Sequence, residues 1–231
     1  MDTTYERRRG EIQTYFDRTA LEAWKRFATG APLGRIRASV REGRARMRAQ
    51  MLAALPADLS GWRILDAGCG TGAMSVELAR RGADVLGVDL APQIIRFASE
   101  TLPVELGSGR VRLCAGDMLS PEHGTFDAVV AMDSLIHYRE ADAAAAIATL
   151  AERTRRQIVF TFAPRTPGLA AMHAVGKLFP RADRAPAIVP VRPAVLRQRL
   201  GSMPSLEDWR IGASRRVSHG FYTSQHLELR R

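Results

Sequence analysis

The chain predicts an α/β fold: a doubly wound, mostly parallel sheet of seven strands, with an N-terminal helical lid and an insertion before the last strands. Three observations predict it. Short apolar runs alternate with helix-forming stretches between residues 63 and 162. The first run ends in Leu65-Asp66-Ala67-Gly68-Cys69-Gly70-Thr71-Gly72, where alternating glycines reverse the chain. Two alternating runs close the sequence and read as a hairpin. Repeated strand–helix–strand units imply parallel pairing, with ligands at the carboxyl ends of the strands.

Residues 1–56 lie outside that alternation and are assigned to the lid. Ile36, Val40, Met47, Met51 and Leu55 fall mostly on one face at helical spacing, which predicts a long amphipathic helix over Gly34–Leu55. Ahead of it, Tyr5, Tyr15, Phe16, Trp24 and Phe27 concentrate aromatic side chains in an otherwise aromatic-poor protein. They suit either the stapling of helices to the sheet or a cover over a flat, apolar substrate.

Residues 57–231 form the second unit. Strands are expected at Arg63–Ala67, Asp84–Val88, Val111–Cys114, Phe126–Met132 and Gln157–Phe162, with helices at Met74–Arg81, Pro92–Glu100 and Ala141–Arg153. Residues 164–205 read as the insertion. Pro164–Gly168 breaks the chain, Leu169–Phe179 has helical character, and Pro180–Pro193 is rich in proline and arginine. The final runs, Leu206–Val217 and Phe221–Leu229, are expected to join at Ser218-His219-Gly220.

Composition narrows the function. Two distant cysteines suggest neither a disulfide framework nor a metal cluster. Cys69 suits a turn filler better than a nucleophile, and Cys114 reads as core. With no apolar run near eighteen residues and no secretory N-terminus, the chain reads as soluble and cytoplasmic. Residues 1–48 carry 12 basic and 6 acidic side chains, residues 49–150 carry 7 and 13, and residues 151–231 carry 15 and 5. Basic flanks around an acidic centre suit an anionic partner: nucleic acid, lipid headgroups or a carboxylate-bearing small molecule.

The glycine turn alone fits a dinucleotide as well as other nucleosides. Asp66 separates them. A carboxylate just before the turn repels a pyrophosphate but suits the ammonium of S-adenosylmethionine, and Asp89 is spaced to hold a ribose diol. Gly116-Asp117-Met118 after the third strand supplies an acid and an apolar side chain for an adenine. The cofactor set expected at the strand ends is therefore Asp66, Gly68, Cys69 and Gly70, then Asp89 and Leu90, then Asp117 and Met118, then Met132. With this ordered set the chain resembles the class I S-adenosylmethionine-dependent methyltransferases, whose sheet is Rossmann-like and ends in an antiparallel strand. The fourth strand is followed by Asp133-Ser134-Leu135-Ile136-His137-Tyr138, without the double proline common for nitrogen acceptors and without a thiolate for cytosine carbon. An oxygen or activated carbon acceptor fits better.

The whole chain also resembles one family, the magnesium-protoporphyrin IX O-methyltransferases of chlorophyll and bacteriochlorophyll synthesis. The resemblance rests on Tyr15-Phe16, on Glu22, Trp24, Arg26 and Gly30, on Asp66–Gly72, on Asp133 and Leu135–Tyr138, on Leu178-Phe179-Pro180 and on Phe221, Tyr222, Ser224, Leu227 and Glu228. The arginine-heavy stretch Arg181–Arg192 departs from the pattern. The resemblance implies methyl transfer to one porphyrin propionate. It places His137 beside the acceptor and brings Tyr15 in from the lid, which makes them the two candidate catalytic residues. A propionate is ionised near neutral pH, so proton abstraction is the least necessary role for either. Hydrogen bonding, or ligation of the porphyrin's magnesium by His137, is more economical. No protein-bound metal is expected, because magnesium arrives in the porphyrin, and no nucleic acid. An arginine among Arg26, Arg35, Arg181, Arg184 and Arg192 is expected to hold the non-reacting propionate. The resemblance further implies contact with the porphyrin-binding subunit of magnesium chelatase and loose association with the inner membrane. Competing readings are methylation of a quinone precursor or phenol, RNA methylation, and a silent S-adenosylmethionine-binding module.

Overall fold

Each central apolar run becomes a strand covered on both faces. The computed structural model describes residues 3–18, 34–165 and 187–231. Helices α1 (Thr3–Arg18) and α2 (Arg35–Ala53) precede β1 (Arg63–Ala67), α3 (Ala73–Arg80), β2 (Asp84–Asp89), α4 (Pro92–Thr101), β3 (Arg110–Ala115), β4 (Phe126–Ala131), α5 (Glu140–Ala151) and β5 (Thr154–Phe162). Helix α6 (Pro193–Gly201) and strands β6 (Arg210–His219) and β7 (Tyr222–Arg230) follow. The expected helix at Leu169–Phe179 lies outside the described residues.

The sheet runs β3-β2-β1-β4-β5-β7-β6. Strands β1 to β5 are parallel, and β7 returns antiparallel between β5 and β6. Successive side chains point to opposite faces. Ile64, Val85, Ala128, Val130 and Val159 meet Met47 and Met51 of α2 and Met74 and Leu78 of α3. Leu65, Leu86, Val129, Ile158 and Phe160 meet α5 and α6 on the other face. That two-sided covering explains near-continuous apolar runs rather than alternation. On α5, Ala143, Ala144, Ala146 and Ala148 are buried, and their short side chains let the helix approach the sheet.

The chain order departs from the sheet order between β1 and β4, so their connections leave in opposite directions. A crevice opens there at the strands' carboxyl ends.

Several local expectations are corrected. Strand β3 is an edge, so Arg110 and Arg112 are exposed and Cys114 packs against the core while remaining half-buried. Ile36 is 55 % exposed because the first turn of α2 projects beyond the sheet, where the β6–β7 hairpin tip is its neighbour. The hairpin turns at Gly220-Phe221, flanked by the His219–Tyr222 pair, because Gly220 supplies the positive φ of 54°. Helix α6 emerges within residues 164–205, with Pro193 in its first turn.

Candidate active site

The glycine turn after β1 is required by two approaches of the backbone. Gly68 has φ +81°, and a Cβ there would lie 2.3 Å from Cβ of Ser134, in the turn after β4. Gly70, at φ +53°, donates its amide to Asp89 Oδ2 at 2.9 Å. The amides of Gly68 and Cys69 both donate to the carbonyl of Val88, at 2.8 and 3.0 Å. The end of β2 thereby holds the turn open at the crevice.

Asp66 is 1 % exposed and accepts a 2.6 Å hydrogen bond from Ser75 Oγ. Burial pushes its carboxyl up to about 6, with the Ser75 bond opposing that rise. Asp89 accepts the amides of Gly70 and Ala91, and burial raises its pKa. A carboxylate has further lone pairs, so organising the turn leaves acceptor capacity for a ribose. Asp117 accepts the Leu119 amide at 2.9 Å and the Tyr5 hydroxyl at 3.1 Å, and pairs with Arg9. Cys69 is buried, which raises its thiol pKa, and its Sγ faces the Gly70 carbonyl at 3.8 Å. It fills the turn and is protected against ionising.

Gly68, Gly70, Asp89, Leu90, Asp117, Met118, Met132 and His137 line one cavity. Asp66 and Cys69 line an adjoining one, which shares Gly68, Met132 and Arg44 with the first. His137 ends a short 3-10 turn, Leu135–His137, and is 8 % exposed. Its carbonyl accepts Arg8 Nε at 2.9 Å, while Arg8 Nη2 donates to the carbonyl of Ala187 at 2.6 Å. Tyr15 stands three residues beyond Ile12, the buried α1 residue at the cavity wall, and is itself half-buried outside that lining. Arg35 borders a surface hollow beside His219, and Arg192 caps α6. Arg26, Arg181 and Arg184 lie outside the described residues. His219 instead pairs with Glu42 at 3.0 Å, and His123 Nε2 lies 2.9 Å from the Asp117 carbonyl oxygen.

The cavity also gathers residues that the sequence pattern does not single out as site residues. Tyr5 stacks on Tyr138 with ring centroids 5.0 Å apart, and burial raises the Tyr138 hydroxyl to about 12. Asp133, at the end of β4, pairs with Arg44 of α2 at 3.2 Å. Tyr5 belongs to the aromatic surplus, and Asp133 and Tyr138 to the quoted segment after β4, so each carries a weak signal. Arg44 carries none among so many arginines.

A nucleoside with a cationic amino-acid end fits these groups. Buried Asp66 and half-buried Asp89 and Asp117 stand at successive strand ends, the glycine turn has no room for a Cβ at Gly68, and Met118 and Met132 supply apolar walls. Among the described residues no group of three or more His, Cys, Asp or Glu side chains is arranged to hold a metal ion. Fold and site together define a class I S-adenosylmethionine-dependent methyltransferase.

Comparison with known proteins narrows the class. A general methyltransferase domain matches residues 64–157, and the family described as magnesium-protoporphyrin IX methyltransferase C-terminus matches residues 131–231. The magnesium-protoporphyrin O-methyltransferase of Rhodobacter capsulatus is 48 % identical over 231 residues, covering 100 % of both chains. That of Synechocystis is 30 % identical over 219 residues, covering 94 % of each. The crystal structure of the Synechocystis magnesium protoporphyrin IX methyltransferase with bound SAH superposes with a TM-score of 0.80 at 29 % identity, covering 96 % of this chain and 99 % of that one. The chain belongs to the magnesium-protoporphyrin O-methyltransferase family.

Proposed function

We propose that this enzyme transfers a methyl group from S-adenosylmethionine to one propionate carboxylate of Mg-protoporphyrin IX, giving the monomethyl ester and S-adenosylhomocysteine in bacteriochlorophyll or chlorophyll synthesis. The observation that carries this reading is the presence of His137 in the same cavity as Gly68, Gly70 and Asp89, which supports an acceptor held beside the glycine turn. The end-to-end likeness to the Rhodobacter capsulatus enzyme supports it.

S-adenosylmethionine supplies an electrophilic methyl, so the chain's own residues have binding and orienting to do. In this reading Asp66 faces the ammonium, Asp89 the ribose, and Asp117 with Met118 the adenine. Leu90 and Met132 close the apolar walls, and Cys69 shapes the turn. The propionate is ionised already, so His137 orients it by hydrogen bonding or ligates the porphyrin's magnesium. Tyr15 lies on α1 near the face that carries Tyr5 and Ile12 to the cavity, and is assigned to the acceptor side. Tyr5 and Tyr138 exclude water by stacking in the cavity wall.

Partner and location follow as parts of the same proposal. Porphyrin is delivered by the porphyrin-binding subunit of magnesium chelatase to a cytoplasmic enzyme that touches the inner membrane peripherally. Among the described residues no helix is long and apolar enough to cross a membrane. Exposed Ile36 and Phe221, close together beside Arg35 and Arg37, suit a peripheral contact.

Labelled S-adenosylmethionine offered with Mg-protoporphyrin IX, and separately with metal-free protoporphyrin, tests the activity. Labelled monomethyl ester is expected from the magnesium porphyrin. No ester from either porphyrin would overturn the assignment.

A further inference from the structure

We infer that the hydroxyl of Ser134 holds the reacting carboxylate of the acceptor, donating a hydrogen bond to the oxygen that does not attack. The inference rests on the acceptor reading above and adds a residue to it.

Ser134 follows β4 and caps the short turn that ends in His137. A serine in that position ordinarily accepts a backbone amide two or three residues on. Here it makes no such bond. Among the described residues Ser134 Oγ has no hydrogen-bond partner at all, although it is buried. An unpaired buried hydroxyl is unfavourable, so it points to a partner that arrives with a ligand. Serine turns its hydroxyl about a single torsion, and Ser134 lines the cavity that also holds His137, Gly68 and Asp89.

The backbone delivers Ser134 to that place under constraint. Asp133, just before it, is among the described residues the one non-glycine with positive φ, at 56°. Its amide donates to Thr161 Oγ1 at 2.7 Å. Its carboxylate accepts the hydroxyls of Tyr222 and Ser224 at 3.1 Å and of Thr161 at 3.2 Å, and pairs with Arg44. A left-handed aspartate persists where its surroundings over-determine it. The outcome is a turn that presses Ser134 against the glycine turn, where a Cβ on Gly68 would lie 3.1 Å from Ser134 Oγ.

Ser134 borders the cavity of His137 and Tyr138 but not the adjoining one of Asp66 and Cys69, which sets it apart from the amino-acid end of the donor. The donor's ribose and adenine are faced by Asp89 and Asp117, and its methyl offers only weak C–H donors. A carboxylate is the strongest partner for an O–H group. The cation on the same cavity wall, Arg44, is already neutralised by Asp133. A neutral donor also suits the chemistry. One carboxylate oxygen bonds the methyl carbon as the C–S bond breaks and its electron pair passes to sulfur, so the carboxylate loses its charge. A partner that bound that charge too tightly would favour the ground state. A single O–H keeps its proton throughout, fixes one oxygen and leaves the lone pairs of the other to attack.

The test compares Mg-protoporphyrin IX with its monomethyl ester, which differ only at the reacting carboxylate. In absorbance titrations of the full chain, Ser134→Ala should weaken binding of Mg-protoporphyrin IX about tenfold, and kcat/KM for it should fall by a similar factor. Affinities for the monomethyl ester and for S-adenosylhomocysteine should stay within about twofold of wild type. The melting temperature without ligands should not fall, because the hydroxyl has no partner to lose. An unchanged kcat/KM overturns the proposal. Equal losses for both porphyrins overturn it by assigning Ser134 to the other propionate, and lost S-adenosylhomocysteine affinity does so by assigning it to the donor. A lowered melting temperature overturns it by making Ser134 a structural cap. Wild-type protein that forms no ester from Mg-protoporphyrin IX would instead overturn the acceptor reading itself.

Discussion

A methyl group added to Gly68 would fall 2.3 Å from Cβ of Ser134, so the turn after β1 and the turn after β4 touch across the crevice with no room for a side chain between them. Gly68→Ala combines this clash with a left-handed backbone that costs an L-residue about 1–2 kcal/mol. Chemical denaturation should show a loss of about 2–4 kcal/mol, accompanied by weakened S-adenosylhomocysteine binding. Adding Ser134→Gly should recover the part due to the clash and leave the part due to φ. A Gly68→Ala protein as stable as wild type would contradict the proximity.

Asp66 sets stability against binding. Its folded pKa of about 6 exceeds the ordinary carboxylate value, so the folded state holds the proton more tightly. No penalty exists below about pH 4. It accrues as pH rises toward 6 and is complete above, at about 3 kcal/mol. Asp66→Asn, which can still accept from Ser75, should therefore raise the melting temperature at pH 8 by several degrees. The same variant should bind S-adenosylmethionine poorly. In the wild type, affinity should fall as pH drops below 6, because the ammonium needs an ionised partner. Melts at pH 8 that fall instead of rising would count against the burial argument.

Tyr5 and Arg9 both bind Asp117, which fastens α1 to the end of β3. Tyr5→Phe removes one hydrogen bond and keeps the stack on Tyr138, whereas Arg9→Ala removes the ion pair. Hydrogen exchange of α1 amides should accelerate by about fivefold in either variant, corresponding to about 1 kcal/mol. Exchange unchanged in both would mean that α1 is anchored elsewhere, with Ile12 the first alternative.

For His137, an orienting role and a proton-abstracting role separate in one series. His137→Ala should lower turnover by about tenfold or more with S-adenosylhomocysteine affinity within about twofold of wild type. His137→Gln, which keeps a hydrogen-bond donor, should retain more turnover than His137→Ala if an ionised propionate needs no base. Tyr15→Phe should follow the His137→Ala pattern more mildly. Normal turnover in both His137→Ala and Tyr15→Phe would remove the pair from the site.

The strands were legible because a buried parallel sheet requires apolar residues on both faces, a requirement written locally in Leu65, Val85, Val129 and Ile158. The glycine turn was legible for a similar reason: Gly68, Gly70 and Asp66 are adjacent in sequence, and their spacing carries the chemistry. Edges were harder. Val111 and Cys114 resemble core strand residues, yet β3 has a neighbour on one side only. Ile36 fits the helical stripe of α2 but overshoots the sheet beneath it. Local pattern does not record where the partner surface ends.

The sequence by itself determined the fold class, the order of the elements, the donor turn and the acids at the strand ends, because these depend on residue type and short-range spacing. Tertiary structure alone decided which distant residues complete the site. Tyr5 meets Asp117, Arg8 meets the His137 carbonyl, and Arg44 meets an aspartate held by Thr161, Tyr222 and Ser224. Those partners are separated by up to 112, 129 and 91 positions. No local periodicity links residues so far apart, and the docking of α1 and α2 across the crevice is what brings their charges together.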